Sequence, residues 1–486
     1  MGVATRAEGV VASVDGVIAD VIPRTASIDG ALEQEGEADV TLAGDVYFEL
    51  GSAVLVRAGA EPSGHHHAPA DLPYASGGRG HGVGQDLCVT YDVDRVRSWF
   101  PSLADGVARF DGPGGSQTPY QVAEAVAATM TAGLSNRGSV TAGERAADDV
   151  VLAARRAVGD LVGADPAGVV FGRSMTSLAY LMARTLATGW GPGDEIVVTR
   201  LDHDADIRPW VQAAESAGAR VRWAEFDPVT AELTLDHVRE VLSERTRLVA
   251  VTGASNLLGS CPDVPAIAAA AHAVGALVHV DAVHLAAHAP VDLPSLGADV
   301  LTCSPYKFFG PHHGVLVADP QLLETLHPDK LAPSSDAVPE RFELGTLPYE
   351  LLAGTTAAVD VIADLLPGEG SRRDRVLASM AAVQVHEDAL LDTLLTGLDR
   401  MDGITVYGAA PVRTPTVLFT LDSRTPLEVH EALAARRINA PASSFYALEA
   451  SRWLGLGDGG GVRVGLAPYT TADEVDRLLT ALADLA

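Results

Sequence analysis

Short apolar runs alternate with helical patterns along most of this chain, starting near residue 92. The helical patterns, in which apolar positions recur every three or four residues, are residues 93–100, 119–132 and 142–161. The strand-like runs are residues 168–171, 195–199, 219–224, 246–252, 277–281, 300–303 and 314–317. Continuous apolar runs of this length are typical of strands buried on both faces. The pattern therefore predicts an α/β fold with a mostly parallel, seven-stranded sheet, whose ligand lies at the carboxyl ends of the strands.

The two ends of the chain show a different pattern of apolar and polar residues. From about residue 354 a long helix is followed by short strands at 404–407 and 416–420 and a helix at 426–436, which predicts a smaller α+β domain. Near the amino terminus, residues 10–21 and 45–56 alternate loosely like strands, and 61–85 is a Gly-, Pro- and His-rich linker. We therefore expect three parts, namely an accessory region with a linker at 1–90, a large domain at 91–353 and a small C-terminal domain at 354–486.

Charge and cysteine content exclude several classes of function. The 486 residues contain 34 Lys and Arg against 64 Asp and Glu, a formal charge of −30, which argues against binding nucleic acid or anionic membranes. No run of about 18 uncharged apolar residues predicts a membrane span, and no secretory signal is apparent. Cys88, Cys261 and Cys303 lack CxxC spacing, so a disulfide framework or zinc site is not expected and a cytoplasmic location is predicted.

The histidine run at His65, His66 and His67, with His81 beyond it, is the one metal-like feature of the sequence. It lacks cysteine or acidic residues at the spacing of metal ligands. A solvated Gly-Pro-His loop is therefore favoured over a metal site, and no metal is predicted.

A single lysine draws attention to the segment before the last predicted strand. Lys307 stands between an apolar run and a Gly-Pro turn, among aromatic neighbours, whereas lysines are seldom buried. It either caps a strand end or is an amine with a lowered pKa that forms imines. Asp281, which ends an apolar strand upstream, favours the second reading, because an acid and a lysine so placed suit the pyridinium nitrogen and the Schiff base of pyridoxal phosphate (PLP).

Three more polar groups follow predicted strands. Thr176 lies in a turn that opens a helix and either binds an anion or caps the helix. His203 either stacks on an aromatic cofactor or caps the next helix, and Asn256 either donates to a phenolate oxygen or is an ordinary turn residue. The order of anion turn, His, Asn, Asp and Lys at successive strand ends favours one shared site over five unrelated features.

Residues from about 92 to 486 resemble the class V aminotransferase family of fold-type I PLP enzymes, in particular its cysteine desulfurase and selenocysteine lyase branch. The resemblance rests on Phe110-Asp-Gly-Pro-Gly-Gly, on Ser304-Pro-Tyr-Lys307 and on the ordered strand-end residues. It implies PLP as cofactor and an amino acid as substrate. It also implies a homodimer in which Thr346 of a neighbouring subunit completes each phosphate site.

The resemblance further implies a role for each matching residue. Lys307 forms the Schiff base and moves the α-proton, and Asp281 keeps the pyridinium nitrogen protonated. His203 stacks on the ring, and Arg463 grips the substrate carboxylate. The remaining implied contacts are to the phenolic oxygen, from Asn256 and His284, and to the phosphate, from Met175, Thr176 and Ser304.

Two departures from the family pattern bear on the reaction. Tyr446 stands where desulfurases carry their nucleophilic cysteine, so sulfur donation through a persulfide is not expected. Tyr306 stands where a histidine usually precedes the lysine, which makes Tyr306 and Tyr446 candidate acid/base groups.

The function that we predict is a PLP-dependent carbon–sulfur lyase that performs β-elimination on an S-substituted cysteine conjugate. The Ala- and Gly-rich composition and the added N-terminal region also resemble actinobacterial natural-product enzymes, among them relatives in the lincosamide pathway. The alternatives are oxidative decarboxylation with deamination of such a conjugate, and an aminotransferase or epimerase that acts on an amino acid.

Overall fold

The computed structural model describes residues 91–486 and, before them, two short strands at Ala12–Val14 and Val17–Ala19 that pair antiparallel. The chain divides into two compact units at Gly82 and Val83, and the second unit is described below. The predicted strands at 45–56, the linker, the histidine run and Cys88 lie outside the described residues. The domain boundaries that we predict near residues 90 and 353 stay predictions.

The strands differ in length and in the sheet that they join. In chain order they are β1 (Ala12–Val14), β2 (Val17–Ala19), β3 (Ala108–Arg109), β4 (Val169–Gly172), β5 (Glu195–Thr199), β6 (Arg220–Ala224), β7 (Thr246–Thr252), β8 (Leu277–Asp281), β9 (Val300–Cys303), β10 (Gly314–Ala318), β11 (Ile404–Tyr407), β12 (Thr416–Leu421), β13 (Ile438–Asn439), β14 (Ala442–Ser443) and β15 (Gly461–Gly465).

The helices of the described part connect these strands and cover them. They are α1 (Val93–Arg97), α2 (Tyr120–Thr131), α3 (Ala142–Val162), α4 (Met175–Ala187), α5 (Arg208–Ala217), α6 (Leu235–Arg239), α7 (Val264–Ala273), α8 (Leu293–Leu296), α9 (Pro320–Thr325), α10 (Tyr349–Ala363), α11 (Arg372–Asp399), α12 (Pro426–Ala434), α13 (Leu448–Trp453) and α14 (Ala472–Ala483). Among the described residues, no helix is long and apolar enough to span a bilayer.

The central sheet has the strand order β4-β10-β9-β8-β7-β5-β6. Strands β5 to β9 pair in parallel, whereas β10 runs antiparallel to both β9 and β4. The predicted mostly parallel, seven-stranded sheet is confirmed, with strand bounds within one residue of those expected. The reason is visible in β5, where Ile196 and Val198 contribute to one apolar core and Val197 to the core on the other face. Burial on both faces requires the unbroken apolar run from which the strand was predicted.

The helix predicted at residues 93–100 is shorter in the structure. It ends at Arg97, and a 3-10 helix at Pro101–Asp105 follows. Proline disfavours helical geometry in the residue before it, so Phe100 is extended with φ −108° and ψ 93°.

The C-terminal part is built on an antiparallel sheet of order β11-β12-β15-β14. Its core is formed by β12, β15, α12, α14 and the second half of α11. In this sheet Leu418 of β12 pairs with Arg463 of β15. The sheet therefore brings Arg463 to a buried position, where the side chain is 2% exposed.

Candidate active site

The predicted strand-end residues meet at the carboxyl edge of the central sheet around two adjoining cavities. The outer cavity is about 800 Å³ and includes Thr176, His203, Asn256, Lys307 and Arg463 in its wall. The inner cavity is about 60 Å³, and its wall adds three predicted residues, which are Met175, Asp281 and His284. Carboxyl ends of neighbouring parallel strands lie at one edge, which is why residues far apart in sequence converge here.

Lys307 ends a 3-10 turn, Pro305–Lys307, that directly follows β9. Its Nζ donates to the carbonyl oxygen of Pro113 and lies 5.1 Å from the centre of the Tyr306 ring. Burial, followed by the positive charge of Arg463, lowers the pKa of the amine to about 7. Near neutral pH a large share of this amine is therefore unprotonated, which is the form that attacks a carbonyl.

Asp281 is the last residue of β8 and is 4% exposed. One carboxylate oxygen accepts a hydrogen bond of 2.8 Å from the backbone N–H of Val283. Burial raises its pKa, whereas the amine of Lys307 lowers it. Among the described residues this carboxylate forms no ion pair with an arginine or lysine, so a cationic ring nitrogen is a suitable partner for it.

Arg463 is likewise buried without a carboxylate partner among the described residues. Its Nη1 donates to the backbone oxygen of Asn256 at 2.9 Å, and Nε has no hydrogen-bond partner. Burial lowers its pKa to about 9, although Asp111 acts in the opposite direction. A buried guanidinium with free N–H groups is a binding site for a carboxylate.

His203 and Tyr446 both line the outer cavity, and His203 also lines the inner one. Their rings stack with centroids 5.5 Å apart, and Nδ1 of His203 accepts from the N–H of Ala205 at 3.0 Å. Burial, with the charges of Lys307 and Arg463, lowers the pKa of His203 to about 4, so its ring is neutral at pH 7. Tyr446 is 75% exposed, and Tyr306 stacks on His312 at 4.7 Å.

Asn256 and His284 both present polar atoms without partners. The side-chain N–H group of Asn256 donates to the backbone oxygen of Phe445 at 3.0 Å, and its Oδ1 is buried and unpaired among the described residues. Nε2 of His284 lies 3.0 Å from the hydroxyls of Thr414 and Thr416, and Nδ1 is buried and unpaired. Unsatisfied buried polar groups of this kind call for a ligand.

The predicted phosphate residues are only partly brought together. Met175 and Thr176 begin α4, whose N-cap Ser174 forms a capping box with Ser177. Ser304 is buried but is not part of either cavity wall, and Thr346 is exposed on the segment before α10. Thr346 therefore does not complete the site within the described part of its own chain.

No cysteine of the described residues lines either cavity. Cys303 is fully buried in β9, and Cys261 lies near Arg413, where its thiol donates weakly to the oxygen of Gly259 at 3.5 Å. Burial raises the pKa of both thiols to about 12. Neither is a thiolate at neutral pH, and neither is placed to attack a group held near Lys307.

Comparison with known proteins identifies the family. The family model described as aminotransferase class-V matches residues 109–478. Uncharacterized protein MT3887 of Mycobacterium tuberculosis (strain CDC 1551 / Oshkosh) is 38% identical over 82% of this chain and 100% of its own length. A probable cysteine desulfurase of Pseudomonas aeruginosa is 31% identical over 79% of this chain and 96% of its own. The chain belongs to the class-V aminotransferase family.

A solved structure supports the same assignment for the fold. The apo structure of the cysteine desulfurase from Thermococcus onnurineus NA1 has a TM-score of 0.73 and 26% identity, covering 81% of this chain and 97% of that one. The predictions of fold type I, of a cysteine desulfurase-like enzyme and of PLP as cofactor are thereby confirmed.

The residues at the inner cavity fit PLP. A lysine with a lowered pKa, a buried carboxylate without a cation and the unpaired Asn256 Oδ1 and His284 Nδ1 surround one small space. The lysine binds an aldehyde, the carboxylate a pyridinium nitrogen and Nδ1 of His284 a phenolic oxygen, whereas Oδ1 of Asn256, an acceptor only, binds a phenol that keeps its proton. The side chains that line the inner cavity therefore have the chemistry that PLP requires.

Sequence reasoning missed a buried acidic cluster behind Asp281. Asp202 and Asp206 are fully buried, and Asp206 lies 2.7 Å from Nδ1 of His279 and accepts from Trp210 Nε1 at 2.9 Å. Burial raises the pKa of both carboxyl groups well above the usual range. The polar residues at 202–206 are visible in the sequence. Their burial could not be predicted, because it depends on strands that are distant in sequence.

Proposed function

We propose that this enzyme is a PLP-dependent carbon–sulfur lyase that performs β-elimination on an S-substituted L-cysteine conjugate. The observation that carries the proposal is the turn above Lys307, where Tyr446 stands and no thiol of the described residues is in reach. Lys307 and Arg463 are placed to handle an amino-acid substrate, but no cysteine thiol in the described part of the chain is placed to accept sulfur. This combination favours loss of a thiol over transfer of sulfur to the protein.

The size and lining of the outer cavity support a substrate larger than cysteine. The cavity of about 800 Å³ extends past Arg463 to polar side chains on α4 and α5. Among these, the Tyr180 hydroxyl donates to Gln212 at 3.2 Å, and Arg208 pairs with Asp204 at 2.8 Å. Such a wall has room for a polar substituent on sulfur.

Each polar residue then has one task in the reaction. When bound, PLP withdraws electrons from the substrate α-carbon and so acidifies its proton. Lys307 Nζ holds and moves that proton, Arg463 orients the carboxylate and Asp281 provides a negative charge for a protonated ring nitrogen. The Cα–H and Cβ–S bonds break, the thiolate leaves with a proton, and hydrolysis yields pyruvate and ammonia.

A homodimer is part of the proposal. Thr346 is exposed in its own chain and lies in the Glu343-to-Thr346 segment beside exposed Leu344, which is 61% exposed. We expect Thr346 to donate its hydroxyl to the phosphate in a neighbouring subunit. The resemblance to natural-product enzymes is the basis on which we propose natural-product biosynthesis as the context of the reaction.

Incubation of the purified holoenzyme with an S-alkyl-L-cysteine tests the reaction. We expect thiol, pyruvate and ammonia in equal amounts, and none of them with Lys307→Ala. Oxygen consumption with carbon dioxide and no thiol would instead support oxidative decarboxylation with deamination. A keto acid that keeps its carbon–sulfur bond would indicate an aminotransferase, loss of optical activity alone an epimerase, and alanine formed from L-cysteine a desulfurase.

A further inference from the structure

The guanidinium of Arg463 is covered on one face by the ring of Phe445. The Arg463 Cζ atom lies 3.7 Å from the ring centroid, which is close for a cation–π contact. Among the in-plane N–H groups, Nη1 is used by Asn256, whereas Nε has no partner and Nη2 donates to none of the described residues. The edge formed by Nε and Nη2 is therefore the part of Arg463 that stays open.

The backbone keeps that edge accessible. A side chain on Gly114 would come within 3.5 Å of Nη2, so the glycine leaves this approach clear. The same turn supplies the Pro113 oxygen that accepts from Lys307 Nζ. An anion on the Nε and Nη2 edge would thus be bounded by the Gly112–Gly114 turn and by the ring of Phe445.

Phe445 is held in place by an unusual turn. Phe445 and Tyr446 both have positive φ angles, 52° and 59°, which non-glycine residues adopt at a cost of about 1–3 kcal/mol each. The carbonyl of Phe445 accepts from Asn256 Nδ2 at 3.0 Å, and that of Tyr446 accepts from the N–H of Asp204 at 2.7 Å. Two hydrogen bonds from the segments that follow β7 and β5 thus hold this turn in place.

We propose that Phe445 determines specificity for the substrate anion, by closing the face of Arg463 and confining the anion to the planar Nε and Nη2 edge. A flat carboxylate fits this edge with two parallel hydrogen bonds, whereas a tetrahedral phosphonate carries an extra oxygen toward the ring. The ring also excludes water from the guanidinium, which strengthens its attraction for the bound anion. The inference rests on the proposed carboxylate-binding role of Arg463 and adds the class of anion that is selected.

Ligand binding to the holoenzyme separates this inference from the proposed lyase reaction. L-alanine has no leaving group on its β-carbon, so its affinity does not depend on carbon–sulfur cleavage. The probes are L-alanine and its phosphonic analogue, 1-aminoethylphosphonate, titrated by calorimetry into wild type, Phe445→Leu, Phe445→Met and Phe445→Tyr. Trp223→Leu is the matched control, because Trp223 makes an arginine contact at 5.2 Å with Arg200, outside the two cavities.

We expect wild type to prefer L-alanine, and Phe445→Leu and Phe445→Met to bind it on the order of tenfold more weakly with a smaller preference over the phosphonate. Phe445→Tyr should keep the wild-type affinity for L-alanine and the wild-type preference over the phosphonate. Trp223→Leu should leave both quantities unchanged. With an S-alkyl-L-cysteine, KM should rise more than kcat falls. An unchanged preference in both ring-free variants, or an equal loss in Trp223→Leu, overturns the inference even if the lyase reaction is observed.

Discussion

At the scale of single residues, the site is governed by charges that are buried without matching countercharges. Burial lowers the pKa of both Lys307 and Arg463, the charge of Arg463 lowers that of Lys307 further, and Asp281 lies beside two further buried carboxyl groups. Charged groups in such surroundings are expensive to maintain and are common where chemistry takes place. Their protonation can therefore be tested directly.

The amine of Lys307 should control how fast cofactor attaches. Only the unprotonated amine reacts with an aldehyde, and its pKa is about 7, so attachment of PLP to cofactor-free protein should quicken about tenfold between pH 6 and pH 8. Trapping with borohydride and mass spectrometry of the Lys307 peptide measure this rate.

Arg463→Ala should move the midpoint of that profile to higher pH, because the guanidinium charge lowers the pKa of Lys307. Arg463→Lys, which keeps the positive charge, is the control. A flat profile in wild type, or a midpoint that moves to lower pH in Arg463→Ala, would contradict the assignment.

Asp206→Asn should stabilise the cofactor-free protein. Burial raises the pKa of Asp206 well above its unfolded value, so the folded state binds the proton more tightly. That contribution to stability is present at low pH and is lost as pH rises above about 4. We therefore expect the variant to raise Tm by several degrees at pH 8 and by less at pH 5. In thermal unfolding, Asp236→Asn, whose side chain is 83% exposed, should show no such pH dependence.

At the scale of elements, sequence patterns predicted the central sheet well, and for a definite reason. Strands β7 and β8 are buried on both faces over most of their length, so each shows as a short run of mainly apolar residues. The polar residues at or after these strand ends, such as Asp281 at the last position of β8 and Asn256 after β7, could be predicted because parallel strands end at one edge. Those positions required no knowledge of which strands are neighbours.

Other parts of the site could not be predicted because they depend on contacts between distant elements. The sequence around Asp202 and Asp206 does not show that Asp206 contacts Trp210 and His279. The position of Phe445 over Arg463 depends on β15 and on a turn with two positive φ angles, which no local pattern in the sequence signals. Burial and register, both set by the whole fold, decide these features.

One buried ion pair joins three elements and should be needed for their packing. Glu343, which precedes α10, accepts from Arg155 of α3 at 2.9 Å and from the N–H of Phe171 in β4 at 2.9 Å. Glu343→Gln leaves the buried Arg155 guanidinium with only the partly exposed Glu340, at 3.3 Å, as countercharge, so we expect a loss of up to about 3–5 kcal/mol and a lower Tm. The exposed pair of Arg239 and Asp236 is the control, and Asp236→Asn should cost under about 1 kcal/mol. Equal losses would refute the argument.

At the scale of the whole molecule, the proposed dimer can be tested by mixing two variants, because each site would contain residues from two chains. If Thr346 serves the neighbouring site, mixing inactive Lys307→Ala with weakly active Thr346→Ala should restore activity. In a mixed dimer, one site has Lys307 from the second variant and Thr346 from the first, so it is intact. Up to half of the sites in such a dimer recover, which an activity assay after subunit exchange measures.

The same mixture has a distinct result if Thr346 acts within its own chain. No site in the mixed dimer would then contain both residues, and activity would stay at the level of the separate variants. Lys307→Ala mixed with wild type is the control for exchange, because it should dilute activity without restoring any.

The reversed direction of β10 also limits which molecules can occupy the site. β10 lies between β4, which leads to the predicted phosphate residues at the start of α4, and β9, which leads to Lys307. Neighbouring strands are about 4.8 Å apart, so the ends of β4 and β9 are separated by about 10 Å. A molecule that reaches both must be elongated, with its reactive carbon at one end and its negative charge at the other. We therefore expect shorter aldehydes and free phosphate each to reach only one end, so that the strand order favours ligands of the right length.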